Sequence, residues 1–269
     1  MFPQIAPLVD TNLKLQHAEW FRRDGTTRLI AQTTEAQGFL YAGDELAAMD
    51  LARNYHRWIF DLFQPFLGPR VVEVGAGIGS FSRQILRSKR VTQFTALEPA
   101  ENLFPMLCQR LSGDPRAQAL RTYLNDLELS SPADSVTAVN VMEHIQDDVA
   151  FVRQAHRVLA PSGTLLLLVP ALPWIYGQKD QAFGHFRRYR RAQVRELLQN
   201  AGFHIELLRY VNLPGILSWF FTGRVLKRST IPASDVRFYD GAVIPLVRRI
   251  ETLCPPPIGQ NLVAVARKP

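Results

Sequence analysis

Three glycines fall within five positions of VVEVGAGIGSF (71–81), directly behind a run of valines. A backbone bare of side chains allows close approach, whether by a phosphate, a dinucleotide or an adenosyl group, or it makes a tight turn with no ligand. A dinucleotide fingerprint needs G-x-G-x-x-G, whereas the third glycine here arrives one residue early, and the Gly-Lys-Ser/Thr ending of a phosphate-binding loop is absent. Two acids accompany the turn. Glu98 ends the next apolar run, nineteen residues after Gly79, where a carboxylate can accept hydrogen bonds from two ribose hydroxyls. Glu73 lies inside the valine run and needs a donor, an ammonium, a backbone amide or an arginine, because an unpaired buried charge is expensive. Further along, His144 follows Glu143, and GHFRRYRR (184–191) is the most basic run in the chain. Proton acceptors for a hydroxyl substrate are available in His144, His185, Tyr176 and Tyr189. Arg187 or Arg188 could hold an anionic acceptor. The plain alternatives are that Glu143-His144 caps the helix beginning at Asp147-Asp148 and that the arginines form a solvated helix start.

The elements that must carry these residues alternate. Asp44 can cap a helix over 44–67, in which Leu51, Tyr55, Trp58, Ile59 and Leu62 recur at helical spacing, and Gly68-Pro69 stops it. Strands are expected at 70–74, 93–99, 117–122, 135–141, 164–170, 203–211 and 260–268, with helices at 80–89, 100–111 (where Pro105 distorts or shortens it), 147–160 and 190–202. The run TLLLLVP reads as a central parallel strand. Such alternation predicts an α/β, Rossmann-like, doubly wound seven-stranded sheet, mostly parallel with an antiparallel last strand. Residues 1–43 read as an N-terminal extension, 44–211 as the core, 212–258 as an insert between the last two strands, and 259–269 as the final strand. The insert carries Trp219, Phe220, Phe221, Phe238 and Tyr239, with Arg224, Lys227 and Arg228, a composition that suits a lid better than a linker.

With 269 residues, 47% of them hydrophobic, the chain can bury a full core, and its net charge of +7 permits nucleic acid, an anionic surface or an acidic substrate as partner. Cys108 and Cys254 form no disulfide framework or metal knuckle, which reads as a reduced, cytoplasmic protein; no metal requirement is indicated, although Glu143 and His144 side by side leave a small opening for one. The N-terminus has no signal-peptide pattern. The apolar stretch 211–226 is broken by Pro214, Gly215 and Gly223 and is shorter than the ~20 residues that span a bilayer.

Taken together, EVGAGIG (73–79), ALEPAENLF (96–104), NDLEL (125–129), AVNVMEHIQDD (138–148) and RVLAPSGTLLLLVP (157–170) resemble the successive motifs of class I S-adenosylmethionine-dependent methyltransferases. NYHRW (54–58), GHFRRY (184–189) and PPPIGQ (255–260) are similar to motifs of a bacterial small-molecule branch of that family. The resemblance implies S-adenosylmethionine as cofactor. Gly75, Gly77 and Gly79 would lie against its methionine and ribose parts, Glu98 and Pro99 at the ribose, and Asn125, Asp126 and Leu127 at the adenine. Asn140 and Glu73 would be near the methionine moiety, with Tyr55 closing over it. A sulfonium cation is compatible with acids, aromatics and backbone carbonyls. The implied reaction is in-line methyl transfer to a small-molecule acceptor, of anionic, lipid-like or polyketide-like kind and typical of secondary metabolism. His144 and His185 would be catalytic, and Tyr176, Arg187, Arg188, Tyr189 and Trp219 would contact the acceptor. No nucleic-acid partner is expected; the lid is a candidate for peripheral membrane contact, in a monomer or homodimer. Two rivals remain open, the same fold put to non-methylating chemistry and an RNA methyltransferase.

Overall fold

The structure is a computed structural model that describes residues 39–41, 45–225 and 230–269, the side chains of Glu45, Arg224 and Val225 excepted. The expected N-terminal extension, the Asp44 cap and the side chains of Arg224, Lys227 and Arg228 lie outside the described residues. Seven strands form one sheet in the order β3-β2-β1-β4-β5-β7-β6. They are β1 (Arg70–Val74), β2 (Gln93–Leu97), β3 (Ala117–Leu120), β4 (Ala133–Val139), β5 (Leu159–Pro170), β6 (His204–Val211) and β7 (Asn261–Arg267). The first five are parallel to one another, and β7 inserts antiparallel between β5 and β6. The doubly wound sheet with a reversed last strand is therefore as the alternation predicts.

Both faces are covered, which is why β5 is apolar at every position from 165 to 169. Leu165, Leu167 and Val169 belong to one core, packed with Phe151, Val152 and Ala155 of α5 (Asp148–Val158) and Val194 and Leu198 of α7 (Arg191–Asn200). Leu166 and Leu168 belong to the other, with Trp58, Ile59 and Phe63 of α2 (Arg53–Phe63) and Leu107 and Leu111 of α4 (Phe104–Leu111). The period-two alternation of a strand sends successive leucines to opposite cores.

Several boundaries differ from expectation. The long first helix is two pieces, α1 (Glu45–Met49) and α2, followed by a tight turn over Gln64–Phe66. The helix after the glycine turn shrinks to α3 (Ser82–Ile85). Pro105 does not distort α4 but sits in its first turn, where its missing N–H costs nothing. Helix α5 ends at Val158, and Pro161-Ser162-Gly163 is absorbed into β5. The segment 212–258 is helical: α8 (Leu213–Phe220), a π-helical turn at Phe221–Val225, α9 (Ala233–Phe238), a second at Tyr239–Val243, and α10 (Ile244–Leu253). The short α6 (Gln178–Ala182) lies between β5 and α7. No described helix is long and apolar enough to cross a membrane.

Candidate active site

A cleft of about 280 Å³ opens at the carboxyl ends of β1, β4 and β5, bounded on its far side by the helical segment. This is where ligands bind in open α/β sheets. Gly75, Gly77 and Gly79 all have left-handed φ (63°, 55° and 80°), so the turn folds because glycine pays no Cβ penalty there. A Cβ on Gly75 would lie 2.6 Å from Val141 Cγ2, whereas one on Gly77 would meet only Leu46, at 3.7 Å. The Gly77 N–H donates to Glu98 Oε2 (2.7 Å) and the Ala100 N–H to Oε1 (2.9 Å). Burial holds the Glu98 carboxyl above the ordinary range although both donors oppose the shift. The donor that Glu73 requires is neither ammonium, amide nor arginine but the Ser82 hydroxyl. Burial, partly countered by that bond and reinforced by Glu98, pushes the Glu73 carboxyl up to about 8.

Nine of the residues singled out in the sequence line the cleft: Tyr55, Glu73, Gly75, Gly77, Asn140, His144, His185, Arg188 and Trp219. Gly79, Glu98 and Pro99 adjoin its glycine-turn end. Asn125 and Asp126 are exposed, and Leu127 is buried, just past the end of β3. Three acceptor expectations need correcting. Arg187 donates to Asp148 Oδ2 (2.8 Å) and to the Gln146 carbonyl. The Tyr189 hydroxyl donates to the Met142 carbonyl and to Asp148 Oδ2, and burial raises its pKa. Both face a separate hollow beside α7, whereas the intervening Arg188 faces the cleft. Tyr176 is not in the cleft wall; its hydroxyl donates to the His185 carbonyl (2.7 Å) and fixes that segment.

At the acceptor end, the chain leaves β4 through Asn140, at a left-handed φ of 54° that asparagine tolerates. The turn Met142–His144 then brings Glu143 and His144 back over the cleft. These residues do not cap α5, as Asp147 does that by accepting from the Ala150 N–H (2.8 Å). Glu143 is fully buried, and neither carboxylate oxygen has a hydrogen-bond partner among the described residues. Burial pushes its carboxyl up to about 7, partly countered by His185, and burial pulls His144 down to about 4. The His144 and His185 rings meet edge-on at 4.8 Å. His185 Nδ1 lies 3.0 Å from Asp180 Oδ1.

Asp180 was not singled out in the sequence, yet it organises this end. It also accepts from Arg188 Nε (2.7 Å), Trp219 Nε1 (3.2 Å) and the Gly177 N–H (3.0 Å). Burial opposes its ionisation, but His185 and Arg188 together keep its carboxyl below the ordinary range. Arg188 stacks 4.7 Å over the Trp219 ring, so it is committed to internal partners. Asp240 and Glu251 tie the helical segment to the core. Asp240 accepts the Asn54 and Tyr55 N–H groups at the start of α2 (2.9 and 2.8 Å), and Glu251 accepts those of Asn212 and Leu213 at the start of α8 (2.9 and 2.8 Å). Each is a cap supplied from far along the chain. No local sequence pattern marks them, since the alignment of each carboxylate with a distant helix start appears only on folding.

A doubly wound sheet whose first strand runs into a glycine turn flanked by acids, with no phosphate-binding lysine, is the framework that the resemblance in sequence implies. The methyltransferase-domain family matches residues 46–208, more than half of the chain, and the protein belongs to it. A probable S-adenosylmethionine-dependent methyltransferase of Mycolicibacterium smegmatis is 33% identical over 95 residues, covering 34% of this chain and 37% of that protein. A ubiquinone biosynthesis O-methyltransferase of Xylella fastidiosa is 26% identical over 162 residues, 53% of this chain and 63% of that protein. The chain thus spans less than two thirds of the length of these curated relatives. The N-methyltransferase NodS of Bradyrhizobium japonicum WM9, solved with S-adenosylhomocysteine, shares the fold with a TM-score of 0.56 at 14% identity, covering 85% of this chain and 94% of that one.

Proposed function

We propose that the protein methylates a hydroxyl of an apolar small molecule, seated between the glycine turn and the 212–258 segment, which acts as a lid. The observation that carries this reading is the buried, unpartnered Glu143 carboxylate beside His144 and His185 in the cleft wall. A buried polar group without a partner costs about 1–3 kcal/mol, and an acceptor hydroxyl seated there would relieve it. The apolar character of the acceptor is supported by the lining of Met49, Phe81, Phe183, Ile231, Val236 and Ile244. Arg188, spent on Asp180, argues against a free anion as acceptor. The exposed Leu217, Phe221 and Phe238 on the outer side of the lid favour a lipid-like acceptor drawn from an apolar surface.

Bound S-adenosylmethionine supplies an electrophilic methyl group on a sulfonium. The residues present fit it. A carboxylate offers about four acceptor sites, so Glu98 keeps two for ribose hydroxyls beyond its two backbone donors. Glu73, Tyr55 and Asn140 would border the cationic methionine end, and Asn125–Leu127 the adenine. The chain's own task is alignment in a dry pocket. The cleft walls would hold an acceptor oxygen in line with that methyl group, with the polar corner of Glu143, His144 and His185 beside it. The hydroxyl proton leaves through that corner.

The test is methyl-labelled S-adenosylmethionine incubated with the purified protein and a cell extract, then split into aqueous, lipid and nucleic-acid fractions. Label in a base-stable lipid-fraction product supports the reading. Label in nucleic acid would replace it with an RNA- or DNA-directed activity.

A further inference from the structure

Glu143, His144 and His185 do more than line the cleft. One ligand-capable atom of each lies within 4.8 Å of the other two, and His185 Nε2 is 4.0 Å from Glu143 Oε1. Ligands of a divalent ion bound at about 2.0–2.2 Å stand roughly 3–4 Å apart, so inward side-chain rotations of under an ångström or so would close the set. Two imidazoles and one carboxylate are donors suited to first-row transition metals rather than to hard-oxygen cations alone.

The surroundings are those of a ligand set held ready. Asp180 lies 3.0 Å from His185 Nδ1, which leaves Nε2 directed toward Glu143. Gly184 packs beside the His144 ring, where a Cβ would lie 3.9 Å from Nδ1. Metal-binding histidines characteristically have their second nitrogen held by a carboxylate or a backbone carbonyl, as Asp180 holds that of His185. Asp180 is itself fixed by Arg188 and Trp219. The Phe186 N–H donates to the Glu143 carbonyl (2.8 Å), locking the two donor segments together. The Glu143 carboxylate is an independent sign of a ligand: a fully buried acid with no donor on either oxygen among the described residues is expensive, and a cation would satisfy both oxygens.

We propose that Glu143, His144 and His185 bind one divalent transition-metal ion at the acceptor end of the cleft, with coordination positions left open for an oxygen of the acceptor. This departs from the sequence reading, in which no metal requirement is indicated. It rests on the methylation reading above and deepens it: the three side chains would take the hydroxyl through the ion, whose charge lowers the pKa of a bound hydroxyl and orients it. An acceptor with two neighbouring oxygens could chelate the ion.

The experiment uses the full chain, freed of any affinity tag, stripped with a chelator and titrated with Co²⁺ by visible absorption and with Zn²⁺ by calorimetry. The expected result is one ion per chain that survives desalting. Glu143→Gln and His185→Ala should each weaken binding at least about 100-fold, and Asp180→Asn, which removes a positioning residue, by about tenfold, with thermal melts verifying that each variant is folded. Less than a tenth of an equivalent on the unaltered protein would overturn the proposal, as would unchanged affinity in both ligand variants. Full methyl transfer by demonstrably metal-free enzyme would overturn it too, while leaving the methylation reading intact. Stoichiometric, Glu143-dependent metal binding without methyl transfer to any hydroxyl would support the site and count against that reading.

Discussion

The two ends of the cleft are built differently. The glycine-turn end is backbone and near neighbours in sequence: β1, three left-handed glycines and Glu98 at the tip of β2, held to one another by N–H groups from residues 77 and 100. The acceptor end is side chains gathered from residues 143 to 251, joined through three buried carboxylates, Asp180, Asp240 and Glu251. A cofactor common to many enzymes can be held by a conformation that few residues specify. An acceptor peculiar to one enzyme needs donors and walls that only tertiary contacts can aim. The contrast predicts that local backbone changes cripple the first end, whereas the second fails when a distant carboxylate is removed.

The largest effect should come from Gly75→Ala. Its Cβ would require a left-handed conformation and would press on Val141, the residue leading to Glu143. Misplacement of about an ångström costs on the order of 100-fold; calorimetry should find cofactor affinity lowered at least about tenfold, and turnover should fall further. If Gly75→Ala binds cofactor normally, the glycine turn is not the cofactor site.

Next comes Asp240→Ala, which leaves the buried Tyr55 N–H and the part-buried Asn54 N–H without their acceptor. A cost of about 2 kcal/mol is expected, a fall of roughly 4–8 °C in melting temperature. An unchanged melt would mean that the helical segment is not fastened at α2.

Glu73→Gln should show a pH signature. The folded pKa of about 8 lies above the ordinary 4.5, so between those values the folded state retains a proton that the unfolded state has lost. Stability contributed by protonated Glu73 is complete below about 4.5 and declines as pH rises toward 8. The variant lacks that decline, so its melting temperature relative to the unaltered protein should rise from pH 5 to pH 8. A constant difference across that range would show that Glu73 is not protonated in the fold.

The smallest effect belongs to Arg187→Ala. Its ion pair with Asp148 is partly exposed, at 34% and 12% side-chain accessibility, a class worth at most about 1 kcal/mol. Acceptor KM should not change; a large rise would return Arg187 to the acceptor site.

The conformation of the glycine-turn end was legible because it is written in consecutive letters. Three glycines declare left-handed backbone, and an acid at the close of the second apolar run declares a carboxylate beside them. Nothing comparable marks Asp180, which looks in sequence like any helix-flanking aspartate and is found only when α6, β5 and α8 pack together. GHFRRY misled for a related reason. Composition announces its positive charge, but in the fold Arg188 turns inward to Asp180 and Arg187 outward to Asp148, and no count of charges reveals that division.

By itself the sequence determined the alternation of strands and helices, the parallel sheet with its apolar β5, and the glycine turn, because local periodicity and the conformational freedom of glycine act over a few residues. The tertiary structure decided where the chain turns back after its strands, through left-handed residues at Asn140, Leu172 and Asn212. It also decided which polar side chains are buried together. Glu143, His144 and His185 become one cluster only because β4 and β5 lie side by side in the sheet, bringing together donors some forty residues apart, whose mutual distances no local pattern records.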